Sequence, residues 1–224
     1  HVMRKIVVDG SNTAGFQRTC VVATGGRVVV DGEAIPIQTI TLEEDAARLV
    51  ESSRGVVEYD LSRLGIPLIE VATAPVIKSP EQAVKAAKAI GDILRATGKV
   101  KRGLGTVRQD LNISIKDGAL VEVKGVQELE LIDDVVEYEV RRQLHLLDVS
   151  RRLAARLGGG LPAFNPVDVT HLFTATKSKV IRRSLDAGGR VMALLLPAFA
   201  GLISEEPFKG VRLGAELAAY AKAW

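Results

Sequence analysis

The 224 residues, 47% of them apolar, suffice for one large domain or for a domain and part of another, and exclude a disordered or fibrous chain. Thirty basic against 27 acidic residues leave only +3, too small a bias to argue by itself for a nucleic-acid partner. A single cysteine, Cys20, excludes an internal disulfide and a multi-cysteine zinc site and fits a reducing compartment, and no apolar run is long enough to span a bilayer, so the expectation is a soluble cytoplasmic protein with no membrane partner.

In chain order, Asp9-Gly-Ser-Asn-Thr-Ala-Gly-Phe-Gln-Arg-Thr19 is a loop of small residues followed by a cation, and Asp-Gly and Ser-Asn favour an ordinary turn there without any ligand. β-Branched runs at 18–24 and 27–31 flank Gly25-Gly26, predicting a two-residue hairpin turn with Cys20 on a buried strand. Asp31-Gly32 then turns the chain into a strand at 35–42, and further strands at 56–61 and 66–71 predict an antiparallel or mixed sheet. Glu43, Glu44 and Asp45 follow the run at 35–42. They either end a strand, available to a cation, or open a helix continuing through 46–51, since acids favour a first turn.

Residues 66–71 are almost wholly apolar apart from Glu70, so the chain either buries an unpaired charge or offers it to a metal or a positive ligand; the second costs far less. If the strands at 35–42 and 66–71 are neighbours, Glu43, Glu44 and Glu70 converge. Such hard oxygen ligands suit Mg²⁺, which takes one or two protein carboxylates and completes its shell with water and substrate phosphates.

A helix is predicted from Ser79, with Pro80 at its first position, Gln82 closing a capping box and Gly98 beyond its end; Ala83, Ala87, Ile90, Leu94 and Thr97 form its apolar stripe. A second helix is predicted at 133–157, with Val136, Val140, Leu144 and Leu147 on one face and a stop at Gly158-Gly159-Gly160, a linker and not a phosphate loop because no Walker pattern follows. Between the helices, 106–116 and 119–124 form a hairpin around Asp117-Gly118. A three-residue loop pairs Ile113 with Val121 and Leu111 with Val123, giving one apolar face and a polar row of Arg108, Asp110, Asn112, Glu122 and Lys124. That row is either solvated surface or the floor of a site. From about 165 a strand, helix and strand follow, and the basic runs Arg95, Lys99, Lys101, Arg102, Arg108 and Lys177, Lys179, Arg182, Arg183 are either solvated faces or surfaces for RNA.

The segment at 9–19, Leu42-Glu-Glu-Asp-Ala46, Ser62-Arg-Leu-Gly-Ile-Pro-Leu-Ile-Glu70, Val107-Arg-Gln-Asp-Leu-Asn-Ile113 and Val121-Glu-Val-Lys-Gly-Val-Gln127 together resemble the GatB/GatE family, the E-type subunits of archaeal tRNA-dependent glutamyl-tRNA(Gln) amidotransferases and their bacterial B-type relatives, in the same order and over essentially the whole chain. The resemblance implies an α+β fold: a mixed or antiparallel sheet cradle with packed helices over residues 1–164, and over 165–224 the beginning of a second α+β insertion domain like that of bacterial aspartyl-tRNA synthetases. It implies an activity in which ATP and Mg²⁺ serve to phosphorylate the side-chain carboxylate of glutamate carried by tRNA(Gln), and ammonia from an asparaginase-like glutaminase, the D-type partner, then gives Gln-tRNA(Gln), in a heterodimer or a dimer of heterodimers. By carry-over, Glu43, Glu44 and Glu70 are metal candidates; Glu70, Lys124 and Arg108 are catalytic candidates; and Ser11, Asn12, Thr13, Gln17, Arg18, Asp110, Asn112 and Glu122 are ATP- or substrate-binding candidates. The family's Gly-Leu-Glu-x-His segment and its carboxy-terminal helical and tail domains are not in this sequence, so the expectation is an internal piece without activity of its own. The competing readings are a non-catalytic tRNA-binding module and a structural piece that docks the ammonia-producing partner.

Overall fold

Asp31 and Gly32 both adopt positive φ (+50° and +83°), the conformation of a two-residue hairpin turn whose twist matches its flanking strands. This turn joins β2 (Phe16–Val30) to β3 (Glu33–Glu44), pairing Val30 with Glu33 and running back to Thr19 opposite Glu43. The computed structural model describes residues 3–6, 16–53, 55–103, 105–158, 160, 163, 165–208 and 210–223. Ser11, Asn12 and Thr13 lie outside the described residues, and of Gln17 only the backbone is described.

The expected hairpin at Gly25-Gly26 does not form. Both glycines lie inside β2, where Gly25 takes φ +73° close to a bulge between Val21 and Ala23, so they re-aim one long strand rather than end it. Antiparallel neighbours β1 (Met3–Ile6) and β6 (Pro67–Thr73) complete a four-stranded sheet in the order β1-β2-β3-β6. The helix alternative for Glu43 to Glu51 is also overturned: Arg48–Ser53 is a strand, β4, paired with β5 (Val56–Asp60).

α1 (Pro80–Ala96) begins as its sequence dictates. Ser79 accepts from the Gln82 N–H at 3.1 Å, and the Gln82 side chain reaches back to the Lys78 N–H at 2.8 Å. Its packed face is rotated from the expected stripe: Ala86, with Ala89 and Ile90, meets Val28, Val30, Ile35 and Ile37 of the sheet. Burying that layer supplies the main favourable term for this part of the fold, about 1.5–3 kcal/mol for each large aliphatic side chain.

β7 (Gln109–Ile113) and β8 (Val121–Val126) form a two-stranded sheet, shorter than the hairpin expected from sequence. Their burial alternates as anticipated: Leu111, Ile113, Val121 and Val123 are the more covered positions, while Asp110, Asn112, Glu122 and Lys124 are exposed. α2 (Glu130–Leu157) starts three residues before the expected Asp133 and ends at Gly158, whose φ of +65° is a left-handed helix cap. Its covered face differs from the expected Val136, Val140, Leu144 and Leu147; Ile132, Glu139, Gln143 and Val149 are buried and Leu144 is half exposed.

Beyond it, β9 (Val167–Asp168) pairs antiparallel with β10 (Met192–Ala193), on either side of a 3₁₀ turn (Thr170–Phe173) and α3 (Lys179–Asp186), and α4 (Leu213–Ala223) follows. The expected strand, helix and strand are present, the strands much shorter than their β-branched runs. The architecture is α+β with small antiparallel sheets. The described residues fall into two compact units, one from the chain up to Leu111 with Val123–Val135, the other from Asn112–Glu122 with Val136 onward. Among the described residues, no helix is long and apolar enough to cross a membrane.

Candidate functional site

In an antiparallel ladder, directly opposed residues share a face, and Glu70 on β6 stands opposite Thr41 on β3. Glu43 lies two residues along β3 from Thr41, on the same face, and stands opposite Thr19 on β2. The side chains carry this pairing through: the Thr41 hydroxyl donates to Glu70 Oε2 and the Thr19 hydroxyl to Glu43 Oε1, each at 3.2 Å. Ile40 and Val71, one residue away on each strand, face the layer under α1. Glu43 and Glu70 therefore occupy the face of the sheet turned away from that helix.

Two expectations change here. Glu70 is exposed, and Ile69 beside it is 52% exposed, because β6 is the outer strand of the sheet; its apolar flanks do not bury it. Glu44 does not join the other two acids, since strand alternation sends it to the opposite face, where it pairs with Arg18. That hydrogen bond and the Glu44 charge raise the Arg18 guanidinium further above its ordinary value, so it stays protonated. Among the described residues, no three His, Cys, Asp or Glu side chains gather into a cluster that could hold a metal ion.

Sequence reasoning passed over the threonines and Asp45. Thr19 and Thr41 read as ordinary strand formers; only the register reveals that each faces a carboxylate. Asp45, read as part of an acidic triplet, organises the approach to β6: its carboxylate accepts from Arg63 Nε at 2.8 Å, its N–H donates to the Ile66 carbonyl and its carbonyl accepts from the Gly65 N–H. The turn at 61–65 is thereby tied to the end of β3, which fixes the register that places Glu70 against Thr41. The Ser62-Arg-Leu-Gly run held a usable signal only for the turn itself, in which Gly65 takes φ +81°.

On the hairpin, the Asp110 carboxylate accepts from the Gly125 N–H at 2.8 Å, where φ of +73° interrupts the strand. Arg108, Asn112, Glu122 and Lys124 are exposed. His145 is largely covered, near Glu205 at 3.7 Å, and His171 is exposed.

The family model for the GatB/GatE catalytic domain matches residues 1–188. The E-type subunit of the glutamyl-tRNA(Gln) amidotransferase of Aeropyrum pernix is 56% identical over 226 residues, covering 100% of this chain and 35% of the relative; that of Archaeoglobus fulgidus is 54% identical over 224 residues, with the same coverage. The corresponding subunit from Pyrococcus abyssi is 55% identical over 99% of this chain and 35% of its own length. The chain thus spans about a third of the length of these curated relatives. A family model that matches most of the sequence, with more than half of the residues identical in these three relatives, shows that the chain belongs to the GatB/GatE family.

Proposed function

We propose that this chain is part of the subunit of a tRNA-dependent amidotransferase that activates the glutamyl side chain of Glu-tRNA(Gln) for conversion to Gln-tRNA(Gln). The relatives' names support the substrate, and the single observation supporting the chemistry is the pair Glu43 and Glu70 on one sheet face, each oriented by a threonine hydroxyl. A carboxylate is a poor acyl donor. Phosphorylation by ATP installs a leaving group that neutral ammonia expels, forming the amide and releasing phosphate. The ammonia comes from an asparaginase-like glutaminase, the D-type partner, in a heterodimer or a dimer of heterodimers.

Two carboxylates on one face fit the donor set Mg²⁺ takes from a protein, and Glu43 and Glu70 would hold the ion. When bound, it supplies charge neutralisation at the transferred phosphoryl group. Arg108 and Lys124 act as cations for the phosphoryl or glutamyl oxygens. Asp110, Asn112 and Glu122, with Ser11, Asn12, Thr13 and Gln17, bind ATP and the acceptor end of the tRNA, whereas Arg18 is engaged by Glu44 on the opposite face. Residues from about 165 begin an insertion domain like that of bacterial aspartyl-tRNA synthetases. The second reading, a tRNA-binding module without chemistry, draws on the exposed cations between α1 and β7.

The test is transfer of labelled phosphate from ATP to Glu-tRNA(Gln) by the full-length subunit carrying this sequence, with and without Glu70→Gln. Mg²⁺-dependent transfer that disappears in the variant supports the activating role. Equal transfer in both removes Glu70 from the chemistry, and tRNA binding without transfer in either puts the binding module first.

A further inference from the structure

Between Ile93 and Gln109 the chain carries Arg95, Lys99, Lys101, Arg102 and Arg108 and no acidic residue, although the whole sequence nets only +3. The remainder is therefore slightly acidic, and all five cations of this stretch are exposed. The segment is locally ordered. Gly98, at φ +67°, ends α1, and the Thr106 hydroxyl donates to the Gly103 and Lys101 carbonyls at 2.8 and 3.1 Å. Gly103 and Gly105 take φ +119° and +76°, and a Cβ built on either would meet nothing within 4 Å. Backbone shape, not packing, requires glycine there, and the main chain stays open to approach.

We infer that the segment 95–108, through Lys99, Lys101 and Arg102, is a docking loop for the phosphate backbone of RNA. The charges are strung along fourteen residues, a length suited to successive phosphates of a polynucleotide rather than to one nucleotide. An acidic protein surface is the poorer match, because residues 93–109 contain no aromatic side chain to anchor a protein interface. The inference rests on the reading of tRNA as the substrate class and assigns Lys99, Lys101 and Arg102, none of them proposed for the chemistry, to its backbone.

The test measures binding of a fluorescently labelled tRNA transcript to the full-length subunit carrying this sequence by anisotropy at several salt concentrations between about 50 and 200 mM. Each phosphate contact contributes about 0.7 to 0.9 to the slope of log affinity against log salt. The triple variant Lys99→Glu, Lys101→Glu, Arg102→Glu is expected to flatten the slope by about 2 to 3 and to weaken binding about 100-fold at about 100 mM salt. The comparison variant is Lys177→Glu, Lys179→Glu, Arg183→Glu, which reverses three exposed cations around α3 and is expected to retain most of the affinity. Equal losses in the two variants mean diffuse attraction and overturn the inference, as do an unchanged slope in the first variant or no RNA binding by the parent chain. Loss of binding to a polyglutamate peptide with RNA binding intact would replace RNA by an acidic protein. Alanine substitutions at the three positions, checked by circular dichroism, guard against misfolding of the charge-reversed chain. The catalytic reading is tested by phosphate transfer and this inference by the salt dependence of RNA binding, so failure here and failure of that reading are separable.

Discussion

The carboxylates of the β3–β6 sheet face and those packed on α2 differ in how far they are covered. On the sheet, Glu43 and Glu70 accept from the neutral hydroxyls of Thr19 and Thr41 at positions that reach solvent. On α2, Glu139 is 4% exposed and accepts from Gln143 at 2.8 Å and from Arg142, while Arg142 also reaches Glu216 at 3.3 Å. Glu205 is gripped by both terminal nitrogens of Arg152. A buried carboxylate is tolerable only with donors and a countercharge, so the α2 acids are fastened as parts of the fold. The threonine hydroxyls orient Glu43 and Glu70 at positions a ligand can still reach. The lesson is that burial, which obliges donors and a countercharge, marks a structural carboxylate, whereas exposure leaves an acid within reach of a ligand.

The sharpest way to break this contrast is to neutralise one acid of each kind. Glu70→Gln in the full-length subunit is expected to lower phosphate transfer about 100-fold or more, equivalent to about 3 kcal/mol of transition-state stabilisation, while its thermal midpoint stays with the parent. A variant that keeps its rate sinks the distinction. Glu139→Ala is expected to do the reverse in kind, destabilising the chain by about 2–4 kcal/mol because Gln143 and Arg142 lose a buried acceptor. Urea unfolding reads the loss, and Glu139→Gln, which keeps an acceptor, recovers part of it.

How much of this was legible follows the same division between local and distant causes. The start of α1 could be read outright, since Ser79, Pro80 and Gln82 act on one another within four residues. The Asp31-Gly32 turn could be read for the same reason. Gly25-Gly26 carried an equally strong local turn signal and lost, because ten residues of β3 pair with β2 on both sides of it and that ladder outweighs one turn. The face of α1 was misjudged because alanines at 83, 86, 87 and 89 offer several stripes of nearly equal hydrophobicity; the aliphatic layer on β2 and β3 selects among them. The face of α2 could not be found by an apolar pattern at all, since two of its buried positions are Glu139 and Gln143, and Gln143 has its second acceptor in the Ile113 carbonyl thirty residues away. At the candidate site, Glu43 and Glu70 were named from composition and motif, whereas the division of Glu43 from Glu44 needed only the alternation of a strand. That step was missed because Glu43 to Asp45 also fitted a helix start.

Finer tests probe the hydroxyls. Thr41→Val keeps the β-branched shape of the strand and removes the donor to Glu70, so phosphate transfer in the full-length subunit should fall about fivefold to tenfold with little change in stability. Thr41→Ser, which keeps the hydroxyl, should restore most of that rate. Equal rates in the Val and Ser variants would show that strand shape rather than donation positions Glu70.

The smallest expected effect concerns acid. The Arg152 hydrogen bonds, helped by the nearby charges of His145 and Arg156, hold the Glu205 carboxyl below its ordinary value of 4.5. A carboxylate with a lowered folded-state pKa contributes stability that is fully present above its unfolded value and is lost as pH falls through the folded one. The thermal midpoint of the parent should therefore drop from about pH 5 downward more steeply than that of Glu205→Gln, which has no charge to lose, the two curves converging by a few degrees toward about pH 3. Parallel curves would mean that the Arg152 pair adds nothing that depends on pH. Glu205 would then be fastened by geometry alone, and the contrast with the sheet carboxylates would rest on Glu139.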